Sequence, residues 1–535
     1  MAPKFPDPYD AGRAKGWRIT DANASDAPTR HDCDAVIIGS GAGGGITAEM
    51  LAKAGLSVAI VEAGPLRSSK HFKMLEWDAF RELYQDGAAR QTGDGSITIL
   101  QGRGVGGTTT INWMASFRPH AGVLGVWRDR FGLTDFTDAE MAPWFGEVER
   151  RLHIAPWGQE PNLNNSLLAK GGAAIGVKFE TIARNQRDCH NLGYCGMGCP
   201  TNAKQSMLVT TIPAALDHGA VLFENLSALR LQHDQKRVTH LVCRSSQGRE
   251  IAVHARYFVL AGGAIGSPAL LLRSAAPDPH KRCGARTFLH PTITSAAVYE
   301  QRVEAYQGAP QSLYSDHFIK PPEQAGPISF KLEVAPLHPM LLAGGIWGDA
   351  ESHRVRMQAF PHMQIAIALL RDGFHHDAPG GTVRLGADGN GVLDYPLTSY
   401  IFEGAKRAAL AMAEIQFAAG ARTVYPAHEH ASQGFTTWAD AKSAIAALTY
   451  ERYRVPVLSA HVMGGCGMAA SPEHGVVDGA GRHFQLENVS VHDGSVFPTG
   501  LGTNPQETIF GLSARASSTL ATQLTGKAAP RLMAA

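Results

Sequence analysis

"VIIGSGAGGGITAEMLAKAGLSVAIVEAGP", residues 36–65, decides the fold. It begins as an unbroken apolar run of the kind buried on both faces of a sheet. It then turns through glycines, continues as a helical apolar stripe closed by Gly55, and returns as a second apolar run ending at Glu62. Strand, glycine turn, helix and parallel strand in that order make a nucleotide-binding unit. Gly39, Gly41 and Gly44 form G-x-G-x-x-G at the turn. The first glycine permits the tight turn, the second lets a pyrophosphate approach the backbone, and the third lets helix and strand pack closely. Free N–H groups at the helix start receive negative charge, and Glu62, about twenty residues on, is placed to accept hydrogen bonds from a ribose. NAD and FAD share this fingerprint, so it does not choose between them.

Working outward, "ARYFVLAGGAIGSPALLLRSA" (255–275) and "ENVSVHDGSVFPTGLGTNPQETIFGLSARASSTLATQL" (487–524) repeat strand, glycine turn and helix, and are expected in the same sheet. Between them, "PISFKLEVAP" and "MQIAIALLR" have strand character and "EGAKRAALAMAEIQFAAGA" is a long amphipathic helix. The expected class is α/β (α+β): a Rossmann-like dinucleotide-binding domain with an inserted substrate-binding domain, an antiparallel sheet backed by helices. The expected boundaries are an N-terminal arm over 1–32, then binding-domain parts over 33–120, 201–290 and 456–535. A cap segment with a cysteine-rich loop covers 121–200, and the substrate domain covers 291–455. The Pro-, Asp- and Ala-rich arm reads as lying over the surface or partly disordered.

The 535 residues carry a formal net charge of +1 with 18% charged residues, which gives no electrostatic bias toward nucleic acid or acidic membranes. No apolar stretch reaches the roughly 18–20 residues of a membrane helix, and the opening lacks the apolar segment of a secretory signal. A cytoplasmic enzyme is expected, with export beside a signal-bearing partner left open. Seven cysteines are too few for a disulfide scaffold in a chain this long.

"GRGVGGTTTINW" (102–113) is a second glycine-dense loop, bare enough to lie against a flat ring system and offer N–H donors to it. This loop, "GGAIGSPALLLRS", "SAHVMGGCGM" and "HDGSVFPTGLGTNPQETI" resemble, in order and spacing, the motifs of the glucose-methanol-choline (GMC) oxidoreductase family over about residues 33–525. The resemblance implies FAD, a substrate domain over the flavin's reactive face, and oxidation of an alcohol by hydride transfer. It implies that Gly39, Gly41, Gly44 and Glu62 hold the ADP half, while Gly106, Gly107, Thr108 and Asn112 lie along the flavin and ribityl chain. Asp493 and Gly494 fall near ribityl and pyrophosphate, and the helix starting near Pro505 points its positive end at the pyrimidine edge. Some members attach FAD through a histidine in this loop. Ile111 and its neighbours include no histidine, so noncovalent FAD is expected.

Hydride removal from a carbinol needs a base for the hydroxyl proton, and histidine suits neutral pH. Of 23 histidines, His461 in "SAHVMGG" matches the family base. The second family position is Asn504, whose amide can orient the alcohol oxygen, although Asn before Pro505 is also helix-capping chemistry. His290 in "FLHPT" reads as structural, His375 and His376 as a solvated loop, and Cys466 as filling space.

Cys189, Cys195 and Cys199 have five and three residues between them, a spacing that resembles the three-iron (3Fe-4S) site of membrane-associated glucose and gluconate dehydrogenase large subunits. The adjoining "TNAKQSMLVT" is nearer to long-chain alcohol oxidase-like members without a recognised cluster, so the structural reading is preferred and no metal is expected. Zinc fits less well, lacking a separate fourth ligand. The net expectation is oxidation of an apolar or aromatic alcohol, with oxygen, a quinone or a cytochrome as acceptor. A redox-neutral lyase of the same fold and the catalytic subunit of an electron-transfer complex are the alternatives.

Overall fold

The computed structural model describes residues 6–322, 326–528 and 531–532. At the centre of an eight-stranded sheet lies Arg30–Ile38, whose last four residues are fully buried. Val58–Val61 pairs parallel with it on one side (Ile38↔Val61), and Glu250–Leu260 on the other (Leu260↔Ile38). Val489–Val491 then pairs parallel with the end of Glu250–Leu260 (Leu260↔Val491). The three segments expected to share a sheet do so, and their strands finish level with one another. Each apolar run is buried on both faces, which is why these strands read as continuous rather than alternating.

Helices leave that common edge. Ala42–Lys53 follows the first glycine turn, Gly263–Arg273 follows Leu260, and Gln506–Thr525 follows the last strand. The first and last pack tightly: the Ser517 hydroxyl donates to Thr47 Oγ1 at 2.9 Å, and a Cβ on Gly43 would collide with the His492 carbonyl at 1.6 Å. Small residues here allow two helices to crowd over the strand ends.

The second sheet has six strands, with Phe330–Val334, Met363–Leu370 and Thr292–Val298 antiparallel in that order. The helix Ser399–Ala418 buries Ile401, Ala405, Ala408 and Met412 behind it. One pairing differs from an all-antiparallel sheet: Val457–Ser459 runs parallel to Ile97–Ile99. His461 therefore leaves a strand of the second sheet.

The arm is more ordered than its composition suggests, although residues 1–5 fall outside the described residues. Pro8–Ala14 is a helix capped by Asp7, and Arg18–Asp21 extends the main sheet beside Val221–Glu224. Two aromatic anchors account for this. Tyr9 is buried with its hydroxyl donating to the Leu208 carbonyl at 2.8 Å, and Trp17 Nε1 donates to Asp217 at 2.7 Å. Among the described residues no helix is long and apolar enough to cross a membrane.

Candidate active site

The glycine turns converge where the central strands end. Gly39 has φ +105°, and a Cβ there would lie 2.3 Å from the Ala261 carbonyl. A Cβ on Gly44 would lie 2.1 Å from the Gly39 carbonyl, so that glycine serves the close packing expected of it. Gly41 caps Ala42–Lys53 without any side-chain hydrogen bond, and neither this helix nor Gly263–Arg273 carries an acid in its first turn. Gln506–Thr525, capped by Pro505, also has no side-chain cap. Ala42–Lys53 thus keeps free N–H groups and a positive dipole end beside bare backbone, the donor set a pyrophosphate requires, whereas Gly263 N is taken by Asp493 and the last helix carries Glu507 in its first turn. These residues fit a dinucleotide.

Glu62 is buried and held by the turn itself. Its Oε2 accepts from Ser40 N at 3.1 Å and Ser40 Oγ at 2.6 Å, and its Oε1 accepts from Gly64 N at 3.0 Å. Burial raises its pKa against those hydrogen bonds. Asp493 has a similar role across the crevice, accepting from Gly263 N at 2.8 Å, Ser267 Oγ at 2.5 Å and Ser495 N at 2.8 Å. Gly494 sits against Ile509 of the last helix.

The second glycine loop meets the first. Gly106 (φ +90°) and Gly107 (φ +53°) are left-handed, and a Cβ on Gly107 would stand 2.8 Å from Gly41 Cα. Thr108 Oγ1 accepts from Gly102 N at 3.1 Å and closes the loop. Asn112 Nδ2 donates to Gln506 Oε1 at 2.6 Å, tying the loop to the start of the last helix, while Asn112 Oδ1 is buried without a partner. Beneath lies Lys204, whose buried ammonium donates to the carbonyls of Thr110 (2.8 Å), Asn112 (2.7 Å) and Cys195 (2.6 Å).

His461 is partly exposed, with Nδ1 buried and unpartnered, and burial pushes its imidazole down to about 4. Its ring meets that of His290 edge-on, centroids 5.6 Å apart. His290 is fully buried, and its Nε2 accepts from Leu501 N at 3.2 Å and Gly502 N at 2.9 Å. His290 therefore joins the His461 segment to the one carrying Asn504. Asn504 Nδ2 donates to Glu333 Oε2 at 3.2 Å, and its Oδ1 has no partner. The two expected catalytic residues share no hydrogen bond, so each keeps a free polar atom.

Glu333 is a residue the sequence reading missed. It lies on Phe330–Val334 and is fully buried, and Gln311 Nε2 also donates to its Oε2, at 2.5 Å. The available signal was period-two: Lys331 and Glu333 alternate with Phe330, Leu332 and Val334, which enter the core. Lys331 is fully buried between the rings of Phe117 and Tyr314 and pairs with Asp316 at 2.6 Å. Opposite Glu333 and Lys331 stand Ile367 and Leu369, on the same face. Ile367, Leu369 and Ala335 form an apolar patch against which Trp113, the end of the glycine loop, and Ile365 pack. A separate cavity of about 370 Å³, lined by Phe318, Phe330 and Leu410, belongs to the strand's other face.

Cys189, Cys195 and Cys199 each accept a hydrogen bond, from Asn191 N, Arg184 Nη2 and Lys204 N respectively. Arg184 and Lys204 are both fully buried, and neither pairs with a carboxylate among the described residues. The trio whose ligand atoms do lie within 4.8 Å of one another is His375, His376 and Asp377, on a solvated loop where His375 stacks on Tyr400. Cys466 is fully buried in the core.

Comparison with known proteins matches residues 80–292 and 388–513 to the N- and C-terminal models described as GMC oxidoreductase. An uncharacterised GMC-type oxidoreductase of Mycobacterium tuberculosis is 30% identical over 509 residues, covering 94% of this chain and 78% of that protein. A long-chain-alcohol oxidase of Arabidopsis thaliana is 29% identical over 511 residues, covering 91% of this chain and 68% of its own length. Pyridoxine 4-oxidase from Mesorbium loti superposes with a TM-score of 0.64 at 18% identity, covering 92% of this chain and 99% of that one. An Aspergillus oryzae formate oxidase, solved for the effect of a mutation on FAD modification, gives 0.68 at 13%, covering 92% and 98%. The two solved structures show likeness of fold.

Proposed function

The chain belongs to the GMC oxidoreductase family, and from that premise we propose that it oxidises an apolar or aromatic alcohol with FAD, His461 acting as general base and Asn504 orienting the hydroxyl. One observation carries this reading. His461 Nδ1 and Asn504 Oδ1 are buried without partners, and Asn504 is bonded to Glu333, whose strand neighbour Ile367 belongs to the apolar patch against which Trp113 of the flavin-side loop packs. Bound FAD supplies the acceptor for the hydride. His461, neutral at any pH well above about 4, takes the alcohol's proton. Asn504 holds the oxygen so that the carbinol C–H keeps a single direction. Ile365, Ile367, Leu369 and Trp113 exclude water and favour a carbon chain or ring over a sugar.

The cofactor is held noncovalently by Gly39, Gly41, Gly44, Glu62, Gly106, Gly107, Thr108, Asn112, Asp493 and Gly494 with the helix after Pro505. The loop from 102 to 113 offers it no histidine. Seven unpaired thiols suit a reducing compartment such as the cytoplasm. A second reading concerns the cysteine loop. Arg184, buried beside Cys195 Sγ with no carboxylate among the described residues, favours an anionic occupant at Cys189, Cys195 and Cys199, and a three-iron cluster would be one, supplying an electron relay. Iron and acid-labile sulfide analysis decides it: no iron leaves the loop structural.

The test of the main reading is anaerobic mixing of the flavin-loaded protein with aliphatic, aromatic, sterol and sugar alcohols. Bleaching by the apolar members is expected, and release of intact FAD on acid precipitation checks the noncovalent bond. A flavin that stays yellow with every alcohol overturns the reading in favour of a redox-neutral lyase.

A further inference from the structure

Two buried acceptors on touching side chains are left without donors: Glu333 Oε1 and Asn504 Oδ1. Their partner atoms are already joined, Asn504 Nδ2 donating to Glu333 Oε2 at 3.2 Å, with Gln311 Nε2 donating to that same oxygen at 2.5 Å. Each buried acceptor left without a donor is expensive. A single proton removes both faults, because a carboxylic acid and a primary amide close a ring of two hydrogen bonds, N–H to one oxygen and O–H back to the other.

We propose that Glu333 is protonated in the resting enzyme and is the positioning residue for Asn504, its carboxyl and the amide forming a doubly hydrogen-bonded pair. The inference rests on the catalytic reading of Asn504. It also fixes what that amide can do. With Oδ1 taken by the acid proton and one Nδ2 hydrogen by Oε2, only the second Nδ2 hydrogen is free, so Asn504 acts on the alcohol oxygen as a donor. A donor there becomes more useful as charge develops on that oxygen.

The surroundings agree. Glu333 is fully buried on a strand whose opposite neighbour is Ile367, and burial raises its pKa to about 7. Lys331 and the hydrogen bond from Asn504 favour its ionisation, while Asp316 opposes it; the neutral phenol of Tyr314 lies beside Lys331. Lys331 directs its ammonium to Asp316 at 2.6 Å and lies over Phe117 and Tyr314, so it is not a hydrogen-bonding partner of Glu333. As pH rises the proton leaves to solvent, Oδ1 is again without a donor, and the amide loses its fixed edge.

The test compares Glu333→Gln and Glu333→Leu with the parent by anaerobic flavin reduction against pH, and by infrared difference spectroscopy of the loaded protein. Glutamine can rebuild the ring, its Nε2 donating to Asn504 Oδ1 and its Oε1 accepting from Nδ2. Glu333→Gln is expected to keep the reduction rate within a few-fold at pH 6 and to lose the alkaline decline. Glu333→Leu, which frees the amide to rotate, is expected to be slower by about 100-fold at every pH. The parent should show the C=O band of a protonated carboxyl that Glu333→Gln abolishes. The proposal is overturned if that band is missing, if Glu333→Gln is as slow as Glu333→Leu, or if it retains the alkaline decline. Asn504→Ala separates the two levels: if it reduces flavin at the parent rate, the catalytic reading of Asn504 fails, whereas a slow Asn504→Ala with a contrary Glu333→Gln result fails the pair alone.

Discussion

Replacing Gly107 by alanine tests the cradle at its narrowest point. The residue sits at φ +53°, and the new Cβ would press to 2.8 Å from Gly41 Cα, backbone against backbone with no side chain to swing away. The cost is expected at about 1–3 kcal/mol, read as a lower Tm together with a lower flavin-to-protein ratio. His461→Gln is expected to bind FAD normally and to slow its reduction by alcohol about 10²- to 10⁴-fold. Because burial brings His461 down to about 4, the acid limb of the reduction rate should fall near that pH, well below the usual histidine range. A limb near pH 6.5 in stopped-flow data would assign the base elsewhere. The tight turn at Gly39 and the close packing at Gly44 were legible in the sequence because the whole turn is local, each residue's reason lying within a few neighbours. Glu333 was not, since its meaning comes from Gln311 and Asn504, brought to it by separate stretches of chain.

At the scale of elements, the loop from 106 to 112 is held from below by Lys204, which gives three hydrogen bonds to carbonyls on two loops. Lys204→Met keeps the volume and strands the carbonyls of Thr110, Asn112 and Cys195. Stability should drop by at least about 3 kcal/mol, at about 1–3 kcal/mol for each of the three stranded acceptors, and urea unfolding with and without FAD would measure it. The helix after Pro505 and the strands around Glu62 were readable from apolar runs and glycine punctuation. The bond from Asn112 to Gln506 was not, because the two lie 394 residues apart. The order of the arm was not legible for a related reason. Its composition is that of a loop, but two aromatic residues find sockets on Leu208 and Asp217 that local sequence does not reveal.

Over the whole molecule, buried titratable groups pull stability in opposite directions with pH. His338, His461 and His483 are brought by burial to about 4 and His492 to about 3, and His290 lies well below the ordinary value. A depressed histidine releases its proton on folding, so the stability is present above about pH 6.5 and is lost as pH falls from there toward the folded values. Burial raises Asp372 to about 6 and Glu333 to about 7, and raises Glu507 to about 8 beside Glu149. These stabilise below the ordinary carboxylate range, and their contribution is lost as pH rises through 6 to 8. Tm plotted against pH should therefore peak at about 6–7 and fall on both sides, with Glu333→Gln softening the alkaline side alone.

The level finish of Ile38, Val61, Leu260 and Val491 has a consequence for biosynthesis. A ribosome delivers the first glycine turn hundreds of residues before Val491 and Asn504, and His461 hangs from a strand that must find Ile97–Ile99 far back in the chain. A nascent polypeptide holds half a socket throughout most of its elongation. On the proposed site, capture of the vitamin-derived prosthetic group is expected only after translation has passed Asn504.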